Sequence, residues 1–231
     1  MKRHRFIGAF DLTQKTFRVV EREMIHQMMN VLHLEVGEQV VLCDGKGQEV
    51  LAELKEVSKD LVMAQAVEVL HATPQSSREV ILYCAILKRE NFEFVVQKAT
   101  EVGVTEIVPL ITRRTIKQNV KVARLQEIAK EAAEQSGRGT VPVVSAPIVF
   151  EEAVASAKRN GENYFFDVGG EGESMKSLGN RVGLFIGPEG GWDVEERAVG
   201  RAAGFIVSRL GPFVLRGETA AMIASYLACI D

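Results

Sequence analysis

Two loops near the end of the chain have residue types that suit ligand binding. The first, residues 187–191, reads GPEGG, and the second, residues 210–219, reads LGPFVLRGET. Each follows a short apolar run, at 182–186 and 205–207. Glycine lets a backbone turn tightly and approach a ligand, and proline fixes one backbone angle. If both runs are parallel strands, the loops meet at the carboxyl ends of the sheet, where α/β proteins bind ligands.

The second loop carries the side chains with the clearest chemical use. Arg216 and Glu218 flank Gly217 where a helical pattern begins. An arginine at such a junction can orient an anionic or polar substrate. The alternatives are a surface ion pair between Arg216 and Glu218, and a plain strand-to-helix turn for the GPEGG loop. Neither loop has a GxGxxG or a GK[ST] signature, so neither is typical of a dinucleotide or triphosphate site.

The scarce histidines and cysteines argue against several other classes of site. No Ser-His-Asp or Cys-His arrangement stands out, which disfavours a hydrolase of that type. The histidines form no HxxxH pair, and the odd number of cysteines shows no CxxC spacing, so we expect neither a metal site nor a disulfide framework. A reducing, cytoplasmic environment fits this usage. The residues are His4, His26, His33, His71, Cys43, Cys84 and Cys229.

Basic residues form two local patches, although the net charge of the chain is −3. One patch includes Arg3 and Arg5 near the amino terminus, and the other includes Arg113 and Arg114. Such patches attract phosphate backbones without reading their sequence. A solvated surface is the alternative interpretation for any single run. Arg138 stands between two glycines, which predicts an exposed loop.

The pattern of apolar residues divides the chain into two parts. Residues 1–72 contain short strand-like runs and a DG turn, which predicts a small β-barrel. From residue 73 to 231 strands alternate with helices, which predicts an α/β domain with a mainly parallel sheet. Residues 71–78 form the best linker candidate. No apolar run approaches the length of about 18 residues that a membrane span needs, and no signal peptide is expected.

The run lengths and spacings predict individual elements. A DG step between the runs at 38–43 and 48–57 predicts a hairpin. Apolar residues on one stripe predict a helix over 91–102, which Gly103 should end. The remaining predicted strands are 18–20, 61–70, 79–87, 106–112, 141–144, 164–167, 182–186 and 205–207, and the remaining helices are 21–34, 120–135, 150–158 and one after each glycine loop.

Four motifs together resemble those of the RsmE family of bacterial ribosomal RNA small subunit methyltransferases. They are QKATEVGV at 97–104, AEQSGR at 133–138, GPEGG at 187–191 and LGPFVLRGETA at 210–220. The resemblance runs over nearly the whole chain, including its MKRHRF opening. The chain departs from the family's usual pattern at His33, where an arginine is usual, at 102–104, where LGV is often found, and at Gly217, where a threonine is common.

The resemblance implies a SPOUT-type fold and an S-adenosylmethionine (SAM)-dependent activity. The family methylates N3 of a uridine in 16S ribosomal RNA, either as naked RNA or in the small subunit. Its catalytic domain is a mainly parallel sheet with a C-terminal trefoil knot that holds SAM, and a small PUA-like barrel precedes it. It is typically a homodimer. For this chain, the segment after Leu210 should therefore pass through a loop of earlier residues.

The resemblance also implies which residues form the site. Arg216 should stabilise negative charge on a uracil oxygen, and Glu218, or a water that it holds, is the candidate general base. The implied SAM contacts are Ile186, Gly187, Pro188, Glu189, Gly190, Gly191, Leu210, Gly211, Leu215 and Arg216. The implied RNA contacts are Arg3, Arg5, Lys88, Arg113, Arg114 and Arg138.

Two other functions remain compatible with the motifs. One is a related SPOUT methyltransferase that acts on another RNA site, such as a ribose hydroxyl of tRNA. The other is an RNA-binding protein that has kept the fold but lost catalysis, which a titration with SAM would distinguish. The sequence alone does not identify the modified nucleotide.

Overall fold

The computed structural model divides into two compact units. The first unit comprises Met1–Pro74 and Ala133–Val141, and the second comprises Gln75–Ala132 and Pro142–Asp231. The predicted linker, residues 71–78, lies almost wholly outside the described residues. The structure describes residues 3–70, 78–88, 90–116, 119–158, 161–170, 175 and 179–230.

The first unit is built on a five-stranded sheet. Its strands are β1 (Arg5–Ile7), β2 (Thr16–Val19), β3 (Gln39–Cys43), β4 (Glu49–Val57) and β5 (Val62–Leu70). The strand order is β1-β3-β4-β5-β2, and only the β1–β3 pairing is parallel. All five strands send side chains into one apolar core, as a small barrel requires. Members of that core include Phe6, Phe17, Leu42, Leu54 and Ala64.

The predicted hairpin at the DG step is confirmed. Strands β3 and β4 pair antiparallel. Asp44 Oδ1 accepts the backbone N–H of Lys46 at 2.7 Å and that of Gln48 at 3.0 Å. Gly45 has φ +73°, which glycine adopts at little cost. Local side-chain bonding and one left-handed glycine therefore explain why this turn was visible in the sequence.

The helix predicted over residues 21–34 is shorter than expected. Helix α1 (Arg22–His26) continues as a π-helical segment (Gln27–Val31) and then stops. His33 has φ +52°, the one described residue other than glycine with a left-handed backbone. The N–H of Leu34 donates to the carbonyl of Met28 at 2.9 Å, which satisfies an orphan helix carbonyl. A left-handed residue thus ends the helix.

Replacing His33 with glycine is expected to raise the free energy of unfolding by about 0.5–1 kcal/mol. His33 is exposed, so the change relieves backbone strain without opening the core. Urea unfolding of the full chain measures the effect. The matched control is Asn30→Gly, at an exposed π-helical position that should lose stability instead. Loss of stability in both variants would contradict the assignment of strain to His33.

The second unit contains a parallel sheet with helices. The sheet order is β12-β10-β11-β6-β7-β8, and β9 pairs with β7. Every pairing in it is parallel, which confirms the predicted α/β class. Its strands are β6 (Glu79–Ala85), β7 (Glu106–Ile111), β8 (Val143–Val144), β9 (Ile148–Val149), β10 (Glu162–Phe166), β11 (Arg181–Ile186) and β12 (Ile206–Ser208). Its helices are α2 (Glu90–Val102), α3 (Val122–Ser136, whose last residues cluster with the first unit), α4 (Phe150–Ala157), α5 (Val194–Ala202) and α6 (Gly217–Cys229).

Burial explains why the central strands were predictable. Residues 80–85 of β6 and 182–186 of β11 are all buried, so both strands read as continuous apolar runs. Gly103 has φ +116° and ends helix α2, as predicted. Strands β1 and β9, of three and two residues, were not predicted.

The described residues also bear on metals, disulfides and membranes. Cys43, Cys84 and Cys229 are free and buried. In the described part of the chain, no group of three or more His, Cys, Asp or Glu residues is placed to hold a metal ion. No helix among the described residues combines the length and the apolar character that a membrane crossing requires.

Candidate functional site

A cavity of about 500 Å³ lies at the carboxyl ends of the parallel strands. Its walls come from the loops that follow β6, β10, β11 and β12, all within the second unit. This is the edge where the sequence predicted that the two glycine loops meet. The volume lies in the range of pockets that hold small organic ligands, roughly 300–1,000 Å³.

The two glycine loops form most of the cavity wall. All of the predicted cofactor contacts line the cavity except Gly190. The lining members of that set are Ile186, Gly187, Pro188, Glu189, Gly191, Leu210, Gly211, Leu215 and Arg216. Asn91, Asp167 and Trp192 also line the cavity, and the sequence did not predict them as part of the site.

The GPEGG loop is a tight turn that neighbouring backbone holds in place. The N–H of Gly191 donates to the carbonyl of Pro188 at 2.8 Å, and Gly191 has φ +69°. Glu189 Oε1 accepts the backbone N–H of Lys88, which follows strand β6, at 3.0 Å. The turn therefore presents backbone to the cavity in one defined conformation.

Replacing Gly191 with alanine is expected to lower the free energy of unfolding by about 1 kcal/mol, because alanine resists a left-handed backbone. A Cβ at Gly191 would meet no atom within 4 Å, so strain in the backbone is the cause. The control is Gly190→Ala, whose Cβ would lie in ordinary contact, 3.6 Å from Arg114 atoms, at a residue without positive φ. Urea unfolding should place that control within about 0.5 kcal/mol of wild type. Equal losses in both variants would contradict this reasoning.

The second loop leads directly into helix α6. Arg216 is the residue before the helix, with an extended backbone, and its carbonyl accepts the N–H of Ala220 at 2.8 Å. Its side chain is exposed at the cavity mouth. Glu218 is half-buried, and its Oε2 atom is buried with no hydrogen-bond partner among the described residues. These two described side chains form no ion pair, so the alternative of a surface ion pair between Arg216 and Glu218 is not realised.

Close packing explains glycine at position 217. A Cβ built on Gly217 would lie 2.9 Å from Cδ2 and 3.2 Å from Cδ1 of Leu87. It would also lie 3.6 Å from the carbonyl oxygen of Gly187 in the first loop. The start of α6 therefore approaches the end of β6 and the GPEGG loop more closely than a threonine allows without displacement of Leu87.

Two acidic side chains, Glu189 and Glu218, belong to the lining of the cavity. Burial raises the pKa of the Cys84 thiol, and the nearby carboxylates of Glu189 and Glu218 raise it further. Both carboxylates therefore lie near the end of strand β6, in which Cys84 stands. They share the lining with the cations Lys88, Arg209 and Arg216, so the cavity offers charges of both signs to a ligand.

Asp167 and Trp192 support the walls of the cavity. Asp167 follows strand β10 and forms an ion pair with Arg197: its Oδ2 lies 2.9 Å from Nε, and its Oδ1 accepts a hydrogen bond from Nη2 at 3.2 Å. Trp192 is 1% exposed, and its indole N–H donates to the carbonyl of Phe166 at 2.8 Å. Trp192 could have been noticed as the only tryptophan in the chain, directly after GPEGG. Nothing local to Asp167 distinguishes it from other acidic residues.

Two of the predicted RNA contacts in the first unit are not exposed. Arg5 forms an ion pair with Glu49 and donates to Cys43 Sγ at 3.1 Å. Arg138, expected on an exposed loop, is 9% exposed and donates to Thr140 Oγ1 at 3.3 Å. Residues 133–141 cluster with the first unit, and Arg138, which the flanking glycines predicted to be exposed, is buried. Arg3 is exposed, as expected.

The predicted RNA contacts in the second unit differ in their surroundings. Lys88 is exposed at the cavity mouth. Arg113 pairs with Glu195 and lies 3.9 Å from Asp193. Arg114 lies 3.5 Å from Asp193 through its other guanidinium nitrogen, while Nη1 donates to the carbonyl of Gly190. Both arginines therefore contact the GPEGG loop or the start of helix α5.

Comparison with known families matches both parts of the chain. A family model described as an RNA methyltransferase domain matches residues 74–228, and one described as an RNA methyltransferase PUA domain matches residues 25–65. Among named relatives, ribosomal RNA small subunit methyltransferase E of Synechocystis sp. is 31% identical, with 95% of this chain and 77% of the relative covered. The Bacillus subtilis protein of that name is 30% identical, with 90% and 88% covered.

Solved structures also match over almost the full length. Ribosomal RNA small subunit methyltransferase E from Neisseria gonorrhoeae, bound to S-adenosyl methionine, has a TM-score of 0.88 and 31% identity, covering 97% of this chain and 95% of the other. A chain from Legionella pneumophila, solved with the bound cofactor SAM, has a TM-score of 0.91 and 29% identity, covering 99% and 97%.

Proposed function

The chain belongs to the ribosomal RNA small subunit methyltransferase E family, and we propose that it transfers a methyl group from SAM to N3 of one uridine in 16S ribosomal RNA. One observation carries the proposal for the site. The cavity formed by the two family motifs has glycine backbone on its walls, the carboxylates of Glu189 and Glu218 in its lining, and Arg216 exposed at its mouth. That combination suits a cofactor with positively charged groups below an RNA base.

The residues present fit SAM. Backbone at Gly187, Gly191 and Gly211 can approach an adenosyl group closely, because no side chain intervenes. Glu218 Oε2 is buried without a partner in the described structure, so it is available to a group bound in the cavity. When bound, SAM supplies an activated methyl group. The protein's own task is then to place the base and to ease its deprotonation.

Arg216 and Glu218 are the residues that we assign to that task. Uracil N3 carries a proton, so its lone pair attacks a methyl group only once that proton has left. Glu218, or a water that it holds, accepts the proton. Arg216 donates to a uracil oxygen, where negative charge accumulates as N3 loses its proton. The exposed guanidinium at the mouth is free to make that contact without a competing acid among the described side chains.

Exposed cations on each unit supply candidate RNA contacts. We assign Arg3 on the first unit and Lys88 on the second, with Arg113 contributing its half-exposed guanidinium. Arg5 and Arg138 are assigned to the structure of the first unit instead. We also propose that the two domains divide at residues 72–73. A PUA-like barrel precedes this boundary, and the catalytic unit follows it. Ribosomal RNA as substrate places the protein in the cytoplasm.

An apolar surface beside the site supports the proposed homodimer. Phe213 and Val214 of the second loop are 82% and 79% exposed. Tyr226, Leu227 and Ile230, in and just after helix α6, are exposed as well. Burial of such side chains against a second copy would remove a large apolar area from water. Sedimentation equilibrium of the full chain measures the oligomeric state, and a monomer at micromolar concentration would contradict this part of the proposal.

The order of the sheet supports the proposed knot. Strand β12 lies at one edge of the sheet, yet helix α6, which follows it, packs on β6, β11 and α2. The chain must therefore return past β10 after Leu210. We propose that it does so through a loop of earlier residues. Stretching the protein from both termini tests this, because a trefoil knot shortens the fully extended length.

Mapping of methylated nucleotides in 16S ribosomal RNA tests the function directly. Mass spectrometry compares RNA from a strain with the gene, a strain without it, and a strain with Arg216→Ala. We expect one methyl-uridine to disappear in the second and third strains. A tRNA ribose methyl that disappears instead would support a related methyltransferase. An unchanged set of methylated nucleotides, together with no binding of SAM in calorimetry, would support a non-catalytic RNA-binding protein.

A further inference from the structure

The loop that follows strand β7 is rigidly held beside the GPEGG turn. The hydroxyls of Thr112 and Thr115 are 2.8 Å apart, and the N–H of Thr112 donates to Thr115 Oγ1 at 3.0 Å. Both threonines are buried. The two arginines between them therefore project from a fixed base and not from a flexible loop.

A buried carboxylate joins this loop to the start of helix α5. Glu196 is 1% exposed, and its two oxygens accept different backbone N–H groups. Oε1 accepts from Arg113 at 2.9 Å, and Oε2 accepts from Asp193 at 2.8 Å. The second bond is half of the capping box that begins helix α5. The loop after β7 and the end of the GPEGG segment are thus held as one assembly.

Arg114 extends this assembly to the turn itself. Its Nη1 donates to the carbonyl of Gly190 at 2.9 Å, and its other terminal nitrogen lies 3.5 Å from Asp193 Oδ2. Its aliphatic part passes beside Gly190, since a Cβ there would lie 3.6 Å from Arg114 Cβ and Cδ. Neither Arg114 nor Gly190 lines the cavity, whereas Glu189 and Gly191 on either side of Gly190 do.

We propose that Arg114 is a positioning residue for the SAM site and not a contact to RNA. It fixes the peptide between Gly190 and Gly191 from outside, while Lys88 fixes Glu189 from the other side. The turn then keeps the shape in which its inner backbone faces the cofactor. This inference rests on the proposed function, because it assigns a residue to the site for SAM.

The two roles predict different measurements. A positioning residue affects the affinity for SAM, and its loss should weaken that affinity roughly tenfold, the worth of one charge-assisted hydrogen bond. A residue that neutralises a phosphate affects RNA affinity, and its loss reduces the magnitude of the slope of log K against log salt by about 0.7–0.9. The salt slope therefore separates a contact to RNA from a role at the turn.

The test compares Arg114→Gln with Arg124→Gln in the full chain. Arg124 lies ten positions after Arg114, and its side chain is half-exposed and 3.8 Å from Glu131. Calorimetry gives the dissociation constant for SAM, and filter binding to 16S ribosomal RNA at several salt concentrations gives the slope. We expect Arg114→Gln to weaken SAM binding roughly tenfold and to leave the salt dependence of RNA binding unchanged. Arg124→Gln should bind SAM like wild type.

Other outcomes overturn the inference. Wild-type affinity for SAM in Arg114→Gln, with a reduced salt slope, would make Arg114 an RNA contact. If Arg114→Gln fails to fold, Arg114→Lys replaces it: the single ammonium keeps the charge but can bond Gly190 or Asp193, not both, so SAM binding should weaken severalfold. Unchanged SAM binding in that variant overturns the inference. A wild-type protein that binds no SAM would overturn the proposed function itself, and this inference with it.

Discussion

Replacing Arg216 with alanine is expected to lower the rate of methyl transfer by roughly 10²–10³-fold, the typical cost of removing one donor that stabilises developing negative charge. The affinity for SAM should stay within a few fold of wild type, because the backbone of Arg216, which the substitution keeps, can form the cavity wall at this position. Stability should change little, since the side chain is exposed and the backbone that begins helix α6 can keep its conformation. Single-turnover methylation of small-subunit RNA measures the rate.

Two further variants test the separate roles of Arg216 and Glu218. Arg216→Lys keeps the charge but loses the planar, forked donor, so it should recover only part of the rate. Glu218→Gln removes the proposed base and should cost roughly 10²–10⁴-fold at neutral pH. A rise of its rate with pH would then reflect spontaneous deprotonation of uracil. Wild-type single-turnover rates in Arg216→Ala would remove Arg216 from the chemistry.

Replacing Trp192 with alanine is expected to lower the free energy of unfolding by about 3–5 kcal/mol, the usual cost of deleting a fully buried tryptophan. The indole stacks on Phe165 with ring centroids 4.5 Å apart and lies 5.2 Å from Phe150. It also supports the first glycine loop, since a Cβ on Gly187 would lie 3.0 Å from the indole. SAM binding should therefore weaken together with stability.

The control for this variant is Trp192→Phe. It keeps an aromatic ring in the cluster but leaves the carbonyl of Phe166 without its donor, so we expect a smaller loss, about 1–3 kcal/mol. Urea unfolding gives both free energies, and calorimetry gives both SAM affinities. If Trp192→Ala unfolded at the wild-type urea midpoint, the indole would not be a support of the site, and the packing argument would be wrong.

Local pattern was sufficient to predict most of the architecture. Strands β6 and β11 are buried on both faces, and a strand in that environment must be apolar throughout. Helix α2 shows one apolar stripe, and Gly103 ends it because only glycine takes a φ of +116° cheaply. The two glycine loops follow parallel strands, so their meeting at one edge of the sheet is a consequence of topology. The strands and the helix end depend on residues that are close in sequence, and the meeting of the loops follows once the strands are taken as parallel.

Contacts between distant residues decided the details of the site. Arg114 and Gly190 are separated by 76 positions, and Arg113 and Glu196 by 83. No periodicity links such pairs, so the sequence offered only two interpretations of a run of basic residues, a patch for phosphates or a solvated surface. The burial of Arg138 was likewise not predicted, because residues 133–141 cluster with the first unit, which lies far from them in sequence.

The sequence by itself therefore determined the fold class, the family motifs and the edge of the sheet where they meet, because backbone preference and burial act locally. The tertiary structure alone decided which charged side chains face solvent and which brace the walls of the cavity. Those assignments depend on distances that chain folding creates between segments, and a linear pattern does not contain them.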